Sequence, residues 1–430
     1  MYHRLRVGLL VVFCLSIGNL FGLFAQHSTD YYSLSMVGNA GNGIFAPYYL
    51  SANKHGLVTH SKSGYLRASV FKGLEMNKRF SYEFGIDLVG LMSSTSPVSY
   101  YSDGNLKTYN PGVSSFLIQQ AYIGMKYRMI FISAGCRELT DEVVNFELSS
   151  GGLVWSGNAR PIPQVRAGFI DFVDIPFTKG WVQIKGELAY GKFMDNDFLR
   201  DHYNYYNQYI TTDALYHHKS ISFRSNPDKP FVVTIGAELA AQFGGTKRYY
   251  KEGVLIDSLT MKSPTRLKDF FKILFPSSGD GQTNEGDQAY YYGNHVGQWN
   301  LSAEYRFKDN SSVRGYFEWY YDDASGMGKF NGWDGLWGLE YKSGKKNWLS
   351  NVVLEYLDMT NQSGPLNWCP SDYNDPKLDI EATGADDYYN NYFYNGWAHY
   401  GLSNGTAMAK SLLYNTDGYM RYIIEYEESI

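Results

Sequence analysis

Along residues 230–244 hydrophobic and polar side chains alternate. Phe231, Val233, Ile235, Ala237, Leu239, Ala241 and Phe243 share one face of an extended strand; Thr234, Gly236, Glu238, Gln242 and Gly244 share the other. The apolar face reaches the roughly 9–11 residues that a tilted strand needs to cross a bilayer. The opposite face carries a carboxylate and an amide, which excludes it from the wall of a dry core.

The pattern recurs. Tyr82, Phe84, Ile86 and Leu88 oppose Glu83, Gly85 and Asp87, and Leu117, Ala121, Ile123, Met125 and Tyr127 oppose Gln120, Tyr122, Lys126 and Arg128. Val182, Ile184, Leu188 and Tyr190 oppose Gln183, Lys185 and Glu187; Ile221 and Phe223 oppose His218, Ser220, Ser222 and Arg224. Trp299, Leu301, Ala303, Tyr305 and Phe307 oppose Asn300, Ser302, Glu304 and Arg306, and Val313, Phe317, Trp319 and Tyr321 oppose Arg314, Tyr316, Glu318 and Asp322. A soluble sandwich also alternates. Charges of both signs on the polar faces, and aromatics ending the apolar ones, favour a membrane barrel with a polar lumen.

The expected fold is all-β, an antiparallel transmembrane outer-membrane β-barrel of about 14–18 strands. Residues 1–25 read as a cleaved signal peptide, because His3, Arg4 and Arg6 precede an apolar run from Val7 to Phe24 and Ala25 offers a small residue for cleavage. Residues 26–64 read as a polar N-terminal segment without helical period, and residues 65–430 as the barrel. Stretches 93–115, 194–216, 245–297 and 359–396 read as long loops, with a short amphipathic helix between Pro264 and Pro276 that plugs the lumen, packs on a rim or lies on the lipid surface.

Cleavage leaves 36 basic residues against 43 acidic ones, which argues against nucleic acid or an anionic membrane surface as a partner. Cys136 and Cys369 alone survive it, too few for a disulfide framework; a single long-range bridge and two free thiols are both open. The 39 Tyr, 25 Phe and 9 Trp suit membrane girdles and sugar-binding loops.

Catalytic signatures are weak. His217 and His218 beside Ser220 and Ser222 resemble part of a hydrolase site, but His218 and both serines face the polar side, so a lumenal network around His218 and Arg224 is expected instead. The same network is expected to include Glu238, Glu304, Arg306 and Glu318. Residues 280–287 look partly like a calcium loop, but Tyr291 replaces the glutamate an EF-hand requires. The expectation is a protein without catalysis, metal or cofactor. Loop clusters of aromatic and acidic side chains carry the functional lead, since aromatic faces stack on pyranose rings while Asn and Asp bind hydroxyls. The candidate ligand residues are Tyr290, Tyr291, Tyr292, His295, Asp386, Asp387, Tyr392 and Trp397; Tyr203, Tyr205, Tyr206 and Tyr209 form a further cluster.

Several phrases resemble the Wzi family of capsule-assembly proteins in the form found in Bacteroides-type bacteria: APYYLSANKHG at 46–56, GGLVWSGNARPIP at 151–163, YHHK at 216–219, YGNHVGQ at 292–298 and LEYLDMTNQSGP at 354–365. The resemblance implies an outer-membrane barrel of about eighteen strands acting as a lectin or tether for capsular polysaccharide, without cofactor or covalent catalysis. Its partners would be capsular or other surface polysaccharide together with outer-membrane lipid and lipopolysaccharide. The chain ends on a segment with Glu425, Glu427 and Glu428, unlike a closing strand, so it reads as cut short by a few strands or as a complete gene with an atypical end. The alternative function is a porin or polysaccharide-export channel.

Overall fold

A computed structural model describes residues 30–94, 98–102, 105–109, 116–141, 143–202, 208–283, 287–288, 291–322, 327, 332–345, 348–360 and 388–408. The expected signal peptide, Cys369 and the glutamate-rich end lie outside the described residues.

In chain order the strands are β1 (Asp30–Phe45), β2 (His60–Lys72), β3 (Phe80–Ser93), β4 (Val98–Ser102), β5 (Asn105–Tyr109), β6 (Phe116–Tyr127), β7 (Ile130–Cys136), β8 (Gln164–Phe169), β9 (Val173–Asp174) and β10 (Val182–Lys192). They continue as β11 (Gln208–Ser225), β12 (Phe231–Lys251), β13 (Val254–Leu255), β14 (Met261–Lys262), β15 (Asn294–Arg306), β16 (Ser312–Tyr321), β17 (Gly335–Lys342), β18 (Asn351–Asp358), β19 (Ala398–His399) and β20 (Leu402–Ser403). Among the described residues three α-helices punctuate them: α1 (Tyr48–Ser51), α2 (Asn196–His202) and α3 (Leu267–Leu274). Apart from the hairpins β4–β5 and β19–β20, the strands form one 16-stranded sheet whose path runs β1-β2-β3-β6-β7-β8-β10-β11-β12-β15-β16-β17-β18. Every pairing along that path is antiparallel.

The sheet wears its apolar face outside. Tyr82, Ile86, Ile123, Met125, Ile221, Phe223, Phe231, Ile235, Leu301 and Tyr305 are all exposed, whereas Glu83, Asp87, Lys126, Gln298, Glu318 and Glu340 are buried on the opposite face. Such an arrangement suits a wall with lipid outside and a polar interior. The wall also curls round its contents. Ser149, in the segment after β7, accepts a 3.0 Å hydrogen bond from Asn53 near the start of the sheet and donates a 2.6 Å bond to Glu355 on β18, its last strand. Short turns such as 128–129, 226–230 and 307–311 close one end of the wall, and the long connections leave from the other.

Four expectations change. Residues 30–45 are the first wall strand, paired with β2 through Asp30↔Lys72 to Ala40↔Lys62, so the wall begins inside the stretch read as a polar lead-in. The stretch 93–115 contains the hairpin β4–β5, and β11 starts at Gln208 within the stretch read as a loop to 216. Leu117 does not share a face with Ile123. The register shifts between Asp87↔Gln120 and Leu88↔Ile118, so Gln119 is the extra residue of a bulge that reverses the phase. Leu117 is therefore buried beside Leu57 and Val89, while Phe116 and Ile118 are exposed.

Candidate functional site

Two segments on the long-loop side fold back into the lumen: residues 137–141 and 143–163, between β7 and β8, and residues 388–408 beyond β18. Their side chains form a core with the inner wall that includes Leu153, Val154, Tyr388, Tyr389 and Trp397 from the segments, and Tyr216, Ala240, Val296, Tyr316, Tyr320 and Leu336 from the strands. At its centre every backbone polar group of Leu153 and Val154 is satisfied. The Leu153 N–H donates to Glu318 Oε2 at 2.8 Å and the Val154 N–H to Gln298 Oε1 at 3.0 Å. Tyr389 OH donates to the Leu153 carbonyl, and Trp397 Nε1–H to the Val154 carbonyl at 2.7 Å. An unpaired backbone group would cost about 1–3 kcal/mol in such a place, so these four bonds hold the plug to both the wall and itself.

Next to the plug lies a cavity of about 120 Å³ lined by Trp155 and Asp141 from the plug and by Gln164, Arg166, Lys185, Glu187, Tyr216, His218, Ser220, Ser222, Glu238 and Asn300 from the wall. Alternation places these wall residues on the inner face of adjacent strands. The charges are largely paired with one another. Arg166 forms a two-pronged contact with Glu187, its Nε 2.8 Å from Oε1. His218 Nε2 lies 2.7 Å from Glu238 Oε1 and its Nδ1 3.8 Å from Glu187 Oε1. Gln298 donates to Glu238 Oε2 at 3.2 Å and to Asn300 Oδ1 at 2.8 Å. The cavity therefore presents an aromatic face, hydroxyls and amides within a set of internally balanced charges.

The expected lumenal residues are not one network. His218 and Glu238 belong to the cavity. Glu318 is wholly buried and grips the plug at Leu153. Arg224 donates through Nε and Nη2 to Gln183 Oε1 at 3.1 and 2.8 Å, with its guanidinium 4.0 Å from the Phe172 ring centre. Arg306 and Glu304 pair at 2.9 Å near the 226–230 turn, where Arg306 also donates to the Pro227 carbonyl. A second charged cluster, unforeseen as a unit, joins Arg67 to Asp87 and Glu138, with Ser69, Gln119 and Gln120 donating to the same carboxylates. Asp87 was visible on the polar face, but Glu138 follows a strand end and carries no periodic signal.

The loop candidates are divided. Tyr290, Asp386 and Asp387 lie outside the described residues, as do Tyr203, Tyr205 and Tyr206. Trp397 is fully buried in the plug, so it is a packing residue and not an open stacking platform. Tyr392 is 40% exposed and meets Tyr209 edge-on at 5.5 Å. Tyr291 is half-buried, its ring 6.3 Å from that of His295.

Tyr292 and His295 are buried for a different reason. Over 215–225 of β11 and 231–243 of β12 the odd-numbered residues face outward, so Leu215, His217, Lys219, Ala241 and Phe243 point away from the lumen, as does His295 across from Ala241. Beyond the left-handed Asp213, Gly244 and Gly245, Thr211 and Lys247 instead reach Phe393 and Tyr394 of the plug. Helix α3 folds over this patch. Phe270 and Ile273 seat against Tyr190, Leu215, Phe243 and Tyr292. Tyr190 OH donates to the Phe270 carbonyl at 3.0 Å, and Lys219 Nζ donates to the carbonyls of Ile273 and Leu274. A cation at a helix C-terminus is favourable, and an outward lysine facing lipid costs up to about 2–4 kcal/mol; the helix answers both. Tyr292 OH accepts from Gly244 N–H at 3.1 Å and donates to the Pro264 carbonyl, so it is a packing residue of this cover.

The helix begins where Asp269 accepts from the Arg266 N–H at 2.7 Å and ends before Pro276. Asp280, within the calcium-like stretch, is 2.6 Å from Arg266 and 3.2 Å from Lys268, and those hydrogen bonds hold its carboxyl down to about 2. Asn284 and Glu285 of that stretch lie outside the described residues. In the plug, His399 Nδ1–H donates to the Arg160 carbonyl at 2.8 Å while Nε2 accepts from the Met194 N–H at 3.3 Å. Burial pushes this imidazole below its usual range, with Asp195 opposing the shift.

No protein-family model matches this chain, and no curated protein matches it. Among solved structures it is similar to Wzi of Escherichia coli, an outer membrane protein involved in group 1 capsule assembly and described as a carbohydrate-binding β-barrel, with 12% identity and a TM-score of 0.48. The match covers 89% of this chain and spans 64% of that protein's length. The likeness is too distant to transfer residues or activity.

Proposed function

We propose that this chain is an outer-membrane β-barrel that binds and holds surface polysaccharide without catalysis. The observation that carries the reading is the lumenal cavity, where Trp155 stands among Gln164, Ser220, Ser222 and Asn300 and the charges are largely paired. Sugars offer hydroxyls and an apolar ring face, and this lining offers hydrogen-bonding partners and an aromatic face for them. The exposed apolar belt and the family-like phrases support the location and the capsule role. A porin or export channel needs an open lumen, and the aromatic plug speaks against it.

The test is binding of the purified, folded protein to capsular polysaccharide, alongside capsule staining of a deletion strain. Trp155→Ala is expected to weaken binding about tenfold, the equivalent of about 1.4 kcal/mol. Unchanged cell-bound polysaccharide in the deletion strain would sink the reading.

A further inference from the structure

We propose that α3 and its flanks form a lipid-binding shelf on the outer wall, at the boundary between acyl chains and headgroups on the long-loop side. The inference rests on the outer-membrane reading above. Its first support is position. From the 226–230 turn upward the outer face is an open apolar belt: Phe231 and Ile235 on β12, Phe223 and Ile221 on β11, Tyr305, Leu301 and Trp299 on β15, all exposed. The belt stops at the next outward residues, Lys219, Leu239 and Gly297, which are register partners. Immediately above them α3 covers Ala241 and Phe243, beside the buried His217 and His295, and β12 continues to Lys251 beyond it. The open stretch from Phe231 to Leu239 spans about the length needed to cross a bilayer as a tilted strand, so the helix sits where the hydrocarbon ends.

The second support is its outer surface. A helix that only covered a wall in water would turn polar side chains outward. Here Leu267, Phe271 and Phe275 are 76%, 56% and 69% exposed, continuous with the belt below. Lys268 is also exposed and Lys272 half-exposed among them, and Arg266 precedes the helix. Large apolar residues interleaved with cations are the composition of an interfacial helix, whose rings enter the acyl boundary. Arg266 and Lys268 are already held by Asp280, so Lys272 is the cation left for the headgroup phosphates. The occupant is thus the membrane lipid of the outer leaflet. Lys219 anchors the shelf from beneath.

The test uses the full chain in proteoliposomes with Cys14, Cys136 and Cys369 replaced by serine and an environment-sensitive fluorophore on Phe271→Cys or Ile235→Cys. Ordinary phosphatidylcholine–phosphatidylglycerol vesicles are compared with vesicles of brominated lipid. Folding is checked by heat-modifiable gel mobility. The 271 label is expected to lose about half its emission in brominated lipid and to resist aqueous iodide, as an interfacial ring would. Lys219→Leu, which frees the helix from its anchor, is expected to make the same label iodide-accessible. If the 235 label responds to brominated lipid and the 271 label responds only to iodide, the shelf is refuted and the barrel reading stands. If neither label responds to brominated lipid, the membrane reading itself fails, and the shelf with it.

Discussion

Removing the Trp397 side chain should unseat the plug and leave the wall standing. The indole is fully buried, meets Phe193 edge-on at 6.4 Å and Tyr216 in a stack at 6.1 Å, and donates to the Val154 carbonyl at 2.7 Å. Truncating a buried tryptophan to alanine costs about 3–5 kcal/mol. Trp397→Phe keeps most of the ring but leaves the Val154 carbonyl without its donor, a loss of about 1–3 kcal/mol. The wall is held by strand pairing that neither variant touches. Limited proteolysis within 388–408 should therefore become about tenfold faster or more in Trp397→Ala, with Trp397→Phe intermediate. Planar-bilayer conductance should rise in the same order, while heat-modifiable gel mobility stays unchanged. If Trp397→Ala is as protease-resistant and as poorly conducting as the parent, the plug does not depend on this core and the argument is wrong.

Other outcomes follow from the same contacts. Burial shifts His399 below its ordinary range in the fold, and His55, buried beside Phe146, is shifted the same way, so the unfolded chain takes up protons first as pH falls. Stability should thus decline from about pH 6.5 downward; thermal midpoints from about pH 7.5 to about pH 5 should show it, less steeply in His399→Asn, and identical profiles would refute it. Arg166→Ala leaves the Glu187 carboxylate on the cavity wall without its guanidinium, with His218 Nδ1 at 3.8 Å beside it, and should cost about 3 kcal/mol by urea titration, with Arg166→Met/Glu187→Met recovering most of it; a loss as large in the double variant would contradict the pairing argument. Gly338 lies under the Tyr316 ring, where an added Cβ would be 2.0 Å from the ring carbon, and Tyr316 OH reaches Glu355. Gly338→Ala should lower stability by about 1–3 kcal/mol through that displacement, read as a fall in thermal midpoint, and a neutral result would mean the ring moves freely.

Sequence alone determined which side of each recognised strand faces out, though not where the wall begins, since β1 reads as a lead-in. In an extended strand the backbone sends successive side chains to opposite faces, so Ile235 outside and Glu238 inside follow from parity once one face is known to be apolar. That rule failed at Leu117, where one extra residue reversed the phase, because a bulge is a pairing event between two strands and not a property of either. The plug had no period to read. Leu153 and Val154 are buried because Glu318, Gln298, Tyr389 and Trp397 meet them, residues more than a hundred positions away in the chain. The cavity is the same kind of object: each inner-face residue was legible singly, and only the curl of the sheet brought them round Trp155. Tyr292 and His295 read as loop ligands because aromatic-rich composition looks alike on a binding surface and under a cover. Helix α3 itself was plain from its bounding prolines, but local pattern cannot say which surface a helix will land on. That was settled by Lys219, an outward ammonium that lipid would not accept and that donates to the last carbonyls of α3, and by the patch of Leu215, Ala241 and Phe243 that the helix covers.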